Sequence, residues 1–230
     1  MSRAAAKPRG IYLETFFGTV EVGLFAVPTE DVCLIPPQLK RRQRNLIEDV
    51  LGVTLVPTTL AGSILLSPMA VGNSNGLLFS NMVLDEELDA IKKKVKDLNI
   101  AIVEGKYTAI GNLVLANDRA ALASSILPKK TLKLIEDVLG VEVIAGRIAD
   151  RSYVGSLAVV TNNGGIVYAE ISEEEEKKLS ELFKVDILPG TVNNGVKFVR
   201  SGIIANSKGA IIGSTTTGPE LMTISRALGI

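Results

Sequence analysis

Residues 69–79 read MAVGNSNGLLF, with the turn-forming residues 73–76 between two short apolar runs. Short apolar runs on either side of an Asn/Gly-rich turn are typical of a tight β-hairpin. Comparable polar turns recur along the sequence and begin at Thr29, Asn73, Asn117, Asn162 and Asn206, which lie 44, 44, 45 and 44 residues apart. A spacing this regular predicts five copies of one structural unit of about 45 residues.

Each hairpin is followed by a stretch whose apolar residues recur three or four positions apart. In the third copy these residues are Leu132, Ile135, Val138 and Leu139, a spacing that places them on one face of a helix. Residues suited to end such helices follow at Gly52, Asn99, Gly140 and Gly229. A further apolar run, such as residues 141–144, follows each of the first four helices, so each copy is predicted to be β-β-α-β.

The two ends of the chain are predicted to close the five copies into a ring. The fifth helix ends the chain at residue 230 and leaves its copy one strand short, while the apolar run within residues 11–22 has no partner. Pairing this run with the fifth copy removes an exposed sheet edge. We therefore predict an α/β fold with one domain, residues 11–230, and a flexible N-terminal tail, residues 1–10.

The composition narrows the possible functions. The chain has 25 basic and 25 acidic residues, no histidine and one cysteine, Cys33. A zero net charge disfavours general nucleic-acid binding, and the lack of histidine removes the commonest general base. One cysteine excludes an intrachain disulfide and a multi-cysteine zinc site. No apolar stretch reaches 18 residues and no secretory signal is recognisable, so we expect a cytoplasmic protein without a cofactor.

Several of these stretches carry a resemblance to a known family. Residues 70–78 (AVGNSNGLL), 109–112 (AIGN), 162–165 (NNGG) and 190–195 (GTVNNG) are similar to the archaeal-type translation initiation factor 6 family, whose fold is the pentein, a fivefold α/β propeller. The resemblance implies a protein without enzymatic activity that binds the large ribosomal subunit at its intersubunit face. It also implies that such binding sterically prevents association with the small subunit and that the protein takes part in large-subunit maturation.

The resemblance further implies the main partner, which is the L14-family ribosomal protein near the sarcin–ricin loop. A minor contact with rRNA is an additional expectation, and we expect the protein to be a monomer. The five inner strands are predicted to begin at Leu24, Pro68, Asn112, Ser156 and Ile203, all opening on one face. Asn112 lies in the matching AIGN stretch. Around this ring, the connections that lead into the inner strands are expected to contribute interface residues. The candidates are Lys106, Tyr107, Arg147, Arg151, Leu157, Asn193, Asn194, Lys197, Phe198 and Arg200. Phe198 is alternatively a residue of the core.

Two other interpretations remain open at this stage. Pentein enzymes that modify guanidino groups need a nucleophilic cysteine and a histidine, whereas Cys33 lies in an apolar run and is better explained as a small buried side chain. A ligand binder or enzyme that uses the central channel would need convergent carboxylates there. The basic residues Lys40, Arg41, Arg42 and Arg44 are either the solvated face of the first helix or a contact to rRNA phosphate.

Overall fold

The computed structural model describes residues 10–230 and contains five three-stranded sheets arranged around a common axis. The predicted tail lies outside the described residues except for Gly10. The Gly10 carbonyl accepts a hydrogen bond of 3.1 Å from the Ala210 amide, so pairing between the two ends of the polypeptide already begins at this residue. We refer to each sheet with its helix as a blade.

Each blade begins with a short helical turn, continues through a hairpin and a long helix, and ends with an outer strand. Blade 1 comprises the turn Val22–Phe25, β2 (Val27–Pro28), β3 (Val32–Ile35), α1 (Arg41–Leu51) and β4 (Thr54–Pro57). Blade 2 comprises the turn Ser67–Met69, β5 (Ala70–Gly72), β6 (Gly76–Ser80), α2 (Asp85–Lys92) and β7 (Asn99–Val103). Blade 3 comprises α3 (Ile110–Leu113), β8 (Val114–Ala116), β9 (Ala120–Ser124), α4 (Lys129–Leu139) and β10 (Glu142–Gly146).

The last two blades repeat this order, and the fifth recruits the first strand of the protein. Blade 4 comprises α5 (Val154–Leu157), β11 (Ala158–Val160), β12 (Gly165–Tyr168), α6 (Glu173–Phe183) and β13 (Ile187–Gly190). Blade 5 comprises the turn Val199–Gly202, β14 (Ile203–Asn206), β15 (Gly209–Gly213), α7 (Gly218–Leu228) and β1 (Ile11–Glu14). The prediction of five β-β-α-β copies is confirmed.

Strand pairing is the same in every blade. The inner strand runs antiparallel to the middle strand, as in Val71↔Leu78, and the outer strand runs parallel to it, as in Leu78↔Ala101. In blade 5 the outer position is taken by β1, which pairs in parallel with β15 through Ile11↔Ala210. The predicted closure of the ring by the N- and C-terminal segments is therefore confirmed.

Buried asparagines join neighbouring blades at the end of the ring where the hairpins turn. The Asn117 amide nitrogen donates to the carbonyls of Thr161 and Phe183, both at 3.1 Å, while its oxygen accepts from the amides of Arg119 and Ala120. Asn73 and Asn206 make equivalent cross-blade bonds. The fourth turn was predicted to begin at Asn162; the structure corrects this to Thr161, whose hydroxyl closes the turn in the asparagine's place.

The opposite end of the ring carries the N-termini of the long helices and the five short turns. Helices α1, α4 and α7 end in Gly52, Gly140 and Gly229 with positive φ, as predicted. Asn99 instead begins β7, because the polypeptide leaves α2 several residues earlier. The inner strands of the first four blades begin two or three residues later than predicted, whereas β14 begins at Ile203 as predicted. A helical turn with i→i+3 bonds, such as Asn112 N–H to Ala109 O at 3.0 Å, satisfies the backbone where five segments converge without strand partners.

Candidate docking face

Five short turns form a closed ring around the axis at the end where the long helices begin. We call them the axial turns: Val22–Phe25, Ser67–Met69, α3, α5 and Val199–Gly202. Each contacts the next one around the ring. A Cβ built on Gly111 would lie 1.9 Å from the Ser67 carbonyl oxygen, and one on Gly155 would lie 2.2 Å from the Gly111 carbonyl oxygen. A Cβ at either glycine would therefore collide with the backbone of the preceding turn, so these two positions require glycine.

These contacts correct the predicted fifth position of the ring. A Cβ on Gly23 would meet the Arg200 carbonyl oxygen at 1.9 Å, so Arg200 is the fifth-blade equivalent of Gly23. The residue that follows it, Ser201, is then the equivalent of Asn112, whereas Ile203 was predicted to be. Ile203 is buried and begins β14, because Gly202 ends its axial turn and does not begin it. We call the five residues nearest the axis the axial positions: Gly23, Ser67, Gly111, Gly155 and Arg200.

The residue after each axial position is partly exposed on the same face in all five blades. These residues are Leu24, Pro68, Asn112, Ser156 and Ser201. The side-chain amide of Asn112 makes no hydrogen bond with any described residue, unlike those of Asn73, Asn117 and Asn206. Asn112 therefore presents an unused donor and acceptor to solvent, as expected of a residue that binds a partner.

An exposed aromatic pair lies just outside this ring: Phe198 belongs to a connection that was predicted to share the face, whereas Tyr153 was not predicted. The rings of Tyr153 and Phe198 stack with centroids 5.9 Å apart, although their side chains are 38% and 43% exposed. Leu65, at the equivalent place in blade 2, is 40% exposed. Residue type alone cannot distinguish an exposed aromatic from a buried one in such short segments. The shared place immediately before each axial turn is the signal that could have found them.

A charged cluster lies beside the aromatic pair. The Arg151 guanidinium lies 4.6 Å from the centroid of the Tyr168 ring, and the Tyr168 hydroxyl donates to Glu170 at 2.8 Å. Lys197 forms an ion pair with the same carboxylate. Its ammonium, together with the Tyr168 hydroxyl, lowers the pKa of Glu170 below its ordinary value. The predicted residues Arg151 and Lys197 therefore lie in one cluster, where Arg151 already contacts Tyr168 and Lys197 already binds Glu170.

The remaining predicted residues have different surroundings. Lys106 is exposed and its ammonium lies 5.1 Å from the Tyr107 ring centroid, and Arg147 is exposed with a bond of 3.0 Å to the Asp150 carbonyl. Asn194 is exposed in a turn of positive φ. Asn193, by contrast, is buried, and its amide donates to the Val20 carbonyl at 2.9 Å. Leu157 is fully buried beneath the face, because it is the last residue of α5 and packs into the core.

The central channel is narrow and mostly apolar. Its part below the axial turns encloses about 40 Å³ and is lined by glycine, alanine, valine, proline, leucine and isoleucine together with Arg200. Glu30 and Asp118 line its far end, but both carboxylates are hydrogen-bonded to the neighbouring blade, Glu30 to Ser207 and Asp118 to Ser74 and Asn162. Small-molecule sites usually enclose roughly 300–1,000 Å³, so the geometry does not favour the channel as a ligand site.

The state of Cys33 bears on the guanidino-enzyme interpretation. Cys33 is fully buried, and burial raises the pKa of its thiol far above the ordinary value, so the nucleophilic thiolate does not form. Within residues 10–230 no group of three or more acidic or cysteine side chains could hold a metal ion. No helix in that same range is long and apolar enough to cross a membrane.

Fold and face together define a pentein-type ring whose five axial turns form one closed face. The eIF-6 family model matches residues 11–227, which includes all five blades. The protein therefore belongs to the eIF-6 family, and with it to the non-enzymatic translation factors.

Curated archaeal relatives agree with this assignment over nearly their whole length. Translation initiation factor 6 of Methanocaldococcus jannaschii is 44% identical over 220 residues, which cover 94% of this protein and 96% of the relative. The factor of Staphylothermus marinus is 41% identical over 216 residues, or 93% and 95% of the two proteins. The factor of Pyrococcus abyssi is 43% identical over 213 residues, or 91% and 94%. A solved N-terminal domain of a cyanobacterial arginine dihydrolase has 12% identity, with a TM-score of 0.46 over 72% of this protein and 66% of that one.

Proposed function

We propose that the protein binds the large ribosomal subunit at its intersubunit face and sterically prevents association with the small subunit. The axial-turn face is the docking surface in this proposal, and the protein acts as a monomer in the cytoplasm with a further role in large-subunit maturation. The partner of the face is chiefly the L14-family ribosomal protein near the sarcin–ricin loop. The observation that carries the proposal is a ring of five partly exposed, uncharged residues on the axial-turn face, in a protein whose relatives are named translation initiation factors.

The chemistry of the face favours docking on protein over docking on RNA. The exposed residues around the axis are Leu24, Pro68, Asn112, Ser156 and Ser201, with the Tyr153–Phe198 pair beside them. Aromatic anchors beside a ring of uncharged residues are typical of protein interfaces. Bulk binding to rRNA would instead require many cations that displace counterions from phosphates. An interface of roughly 800 Å² on each partner is sufficient for specific binding.

Basic residues at the rim suit the minor rRNA contact. Helix α1 begins at the same end of the ring, and Arg41 and Arg42 are exposed there. Arg42 binds Glu14 at 2.6 Å, which leaves Arg41 and Lys40 as the freer cations of the predicted basic cluster. Contacts of this kind would add to a protein-based interface and would weaken as salt rises.

Co-sedimentation of purified protein with separate archaeal large and small subunits tests the proposal. We expect wild-type protein to migrate with the large subunit alone. Asn112→Arg places a long charged group on the centre of the face and is expected to weaken binding at least ten-fold without changing the denaturant midpoint.

Arg119→Glu, at the opposite end of the ring, is the matched control and is expected to bind as wild type. Failure of wild-type protein to migrate with large subunits at low salt and micromolar concentration contradicts the proposal. Equal losses of folding and binding in Asn112→Arg would instead make Asn112 a structural residue.

A further inference from the structure

Arg200 differs from the residues at the other four axial positions. Those positions hold Gly23, Ser67, Gly111 and Gly155, whereas the fifth holds the longest cationic side chain. Arg200 extends across the channel from blade 5 towards blade 2, where its Nε donates to the Ser67 hydroxyl at 2.8 Å. The small residues opposite provide the space for it. A guanidinium therefore lies on the axis, at the centre of the axial-turn face.

The charge of this guanidinium is not neutralised within the protein. No carboxylate of residues 10–230 lies within ion-pairing distance of Arg200, and its two terminal nitrogens make no hydrogen bond with those residues. Its neighbours along the channel, among them Val27, Val71 and Leu115, are apolar. Burial lowers the pKa of Arg200 to about 10, so the guanidinium is still cationic at neutral pH. The terminal nitrogens of this partly buried guanidinium are open to solvent, so an anion of a partner can reach them and replace water as the acceptor of their hydrogen bonds.

The surroundings decide which anion fits. The residues that follow the axial positions and encircle Arg200 carry no charge, and the Tyr153–Phe198 pair adds apolar surface beside them. A phosphate backbone would bring a row of charges to a face with one central cation. One carboxylate within an otherwise uncharged protein surface matches both the charge and its surroundings. The 40 Å³ behind Arg200 has room for a few water molecules only, so the carboxylate approaches from outside the ring.

We propose that Arg200 binds one carboxylate, from an acidic residue or a polypeptide C-terminus, of the protein on which the axial-turn face docks. This inference rests on the proposed function and adds to it the chemistry at the centre of the interface. The planar guanidinium can offer its two terminal nitrogens side by side to both carboxylate oxygens. Nε remains bound to Ser67 and fixes the orientation of the fork, so Arg200 selects a partner with an acid at this one place.

Binding of Arg200→Met to archaeal large subunits is the first test. Methionine keeps much of the side-chain length and removes the charge, and truncating one partner of a desolvated ion pair weakens complexes strongly. We expect at least a ten-fold weaker affinity, mainly through faster dissociation. Arg119→Met removes one charge at the opposite end of the ring and is expected to bind as wild type.

A zero-length cross-link identifies the anion directly. In Arg200→Lys, a neighbouring carboxylate adds to a carbodiimide to form an O-acylisourea. The new amine attacks the acyl carbon of this adduct, so that the carbon–oxygen bond breaks, an amide forms and the carbodiimide leaves as a urea. We expect mass spectrometry of the complex to show an amide between position 200 and an acidic group of a ribosomal protein. Arg119→Lys, treated in the same way, should give none at position 119.

The outcomes separate the two proposals. Absence of wild-type binding to large subunits overturns the proposed function and this inference together. Wild-type binding with Arg200→Met within two-fold of it overturns this inference alone. A cross-link from position 200 to rRNA, or Arg200-dependent binding to protein-free large-subunit rRNA, identifies the anion as phosphate and also overturns it. If Arg200→Met has a lowered denaturant midpoint, Arg200→Lys, which keeps the charge, should retain more affinity than Arg200→Met.

Discussion

Replacing Asn117 tests the inter-blade connections that hold the ring together. This residue is 4% exposed and its side chain makes four hydrogen bonds: two across the blade boundary, to the carbonyls of Thr161 and Phe183, and two within its own turn, from the amides of Arg119 and Ala120. A buried hydrogen bond contributes a net of about 1 kcal/mol. We therefore expect Asn117→Ala to lower the free energy of unfolding by about 4 kcal/mol.

The protein itself offers a graded variant. At the equivalent place in blade 4, the hydroxyl of Thr161 accepts from the amides of Asn163 and Gly164 and makes no cross-blade bond. Asn117→Thr should therefore keep the bonds within the turn, lose the two across the boundary and destabilise by about 2 kcal/mol. Asn163 is exposed and donates a single bond, to the Ser207 carbonyl, so Asn163→Ala should cost less than about 1 kcal/mol.

Equilibrium unfolding in guanidinium chloride, followed by far-UV circular dichroism, gives these three differences from the transition midpoints and slopes. The expected order of destabilisation is Asn117→Ala, then Asn117→Thr, then Asn163→Ala. If Asn117→Ala costs less than about 1 kcal/mol, or if the threonine variant is as unstable as the alanine variant, the cross-blade bonds do not stabilise the ring as argued.

Three further predictions concern packing, pH dependence and thiol reactivity. Gly111→Ala places a Cβ 1.9 Å from a backbone oxygen and should lower the free energy of unfolding by roughly 3 kcal/mol or more. The Cβ of Gly218→Ala meets nothing within 4 Å, so this variant should stay within about 0.5 kcal/mol of wild type. Equal denaturant midpoints for the two variants would refute the contact at Gly111. Burial alone would raise the pKa of Glu220, but hydrogen bonds from Thr217, Thr191 and Gly195 outweigh it and lower the pKa to about 2. Because the pKa in the folded protein lies below the ordinary value of 4.5, the stabilisation is complete above that pH and is lost as the pH falls towards about 2. Melting temperatures from about pH 7 to about pH 2 should therefore fall more steeply for wild type than for Glu220→Gln, and parallel curves would contradict this. Finally, Cys33 should react with a disulfide reagent only after denaturant unfolds the protein; rapid reaction of the native protein would show that the thiol is accessible.

The repeat number and the ring closure could be predicted because they depend on local chemistry. Tight turns require asparagine, glycine or a short polar side chain, and these residues recur at nearly constant spacing in the sequence. The closure of the ring could be predicted because the apolar N-terminal run had no partner and the fifth copy lacked an outer strand. The one-residue error in the fourth turn arose because Asn162 was aligned by residue type, whereas the Thr161 hydroxyl closes the turn there.

The details of the axial-turn face could not be predicted because they depend on contacts between blades. A helical turn of three or four residues is too short to show a 3.6-residue periodicity. Gly202 resembles the glycines of the other axial turns, and aligning on it placed Ile203 where Ser201 lies and concealed the axial position of Arg200. The exposure of Tyr153 and Phe198 likewise depends on how two neighbouring turns meet. Asn112 could be predicted as a contact residue because it lies in the AIGN stretch that resembles the family. Its side-chain amide, which has no hydrogen bond within the described residues, is consistent with that prediction.

Subunit joining tests the central claim most directly. Archaeal large and small subunits are mixed under joining conditions with increasing amounts of the protein, and the joined peak is measured on sucrose gradients. Steric occlusion is stoichiometric, so the account predicts that the joined peak disappears in proportion to added protein and is lost at about one protein per large subunit, with the protein in the large-subunit peak. A joined peak that persists while the protein remains bound to it, or one that disappears at far smaller amounts of protein, would contradict the account.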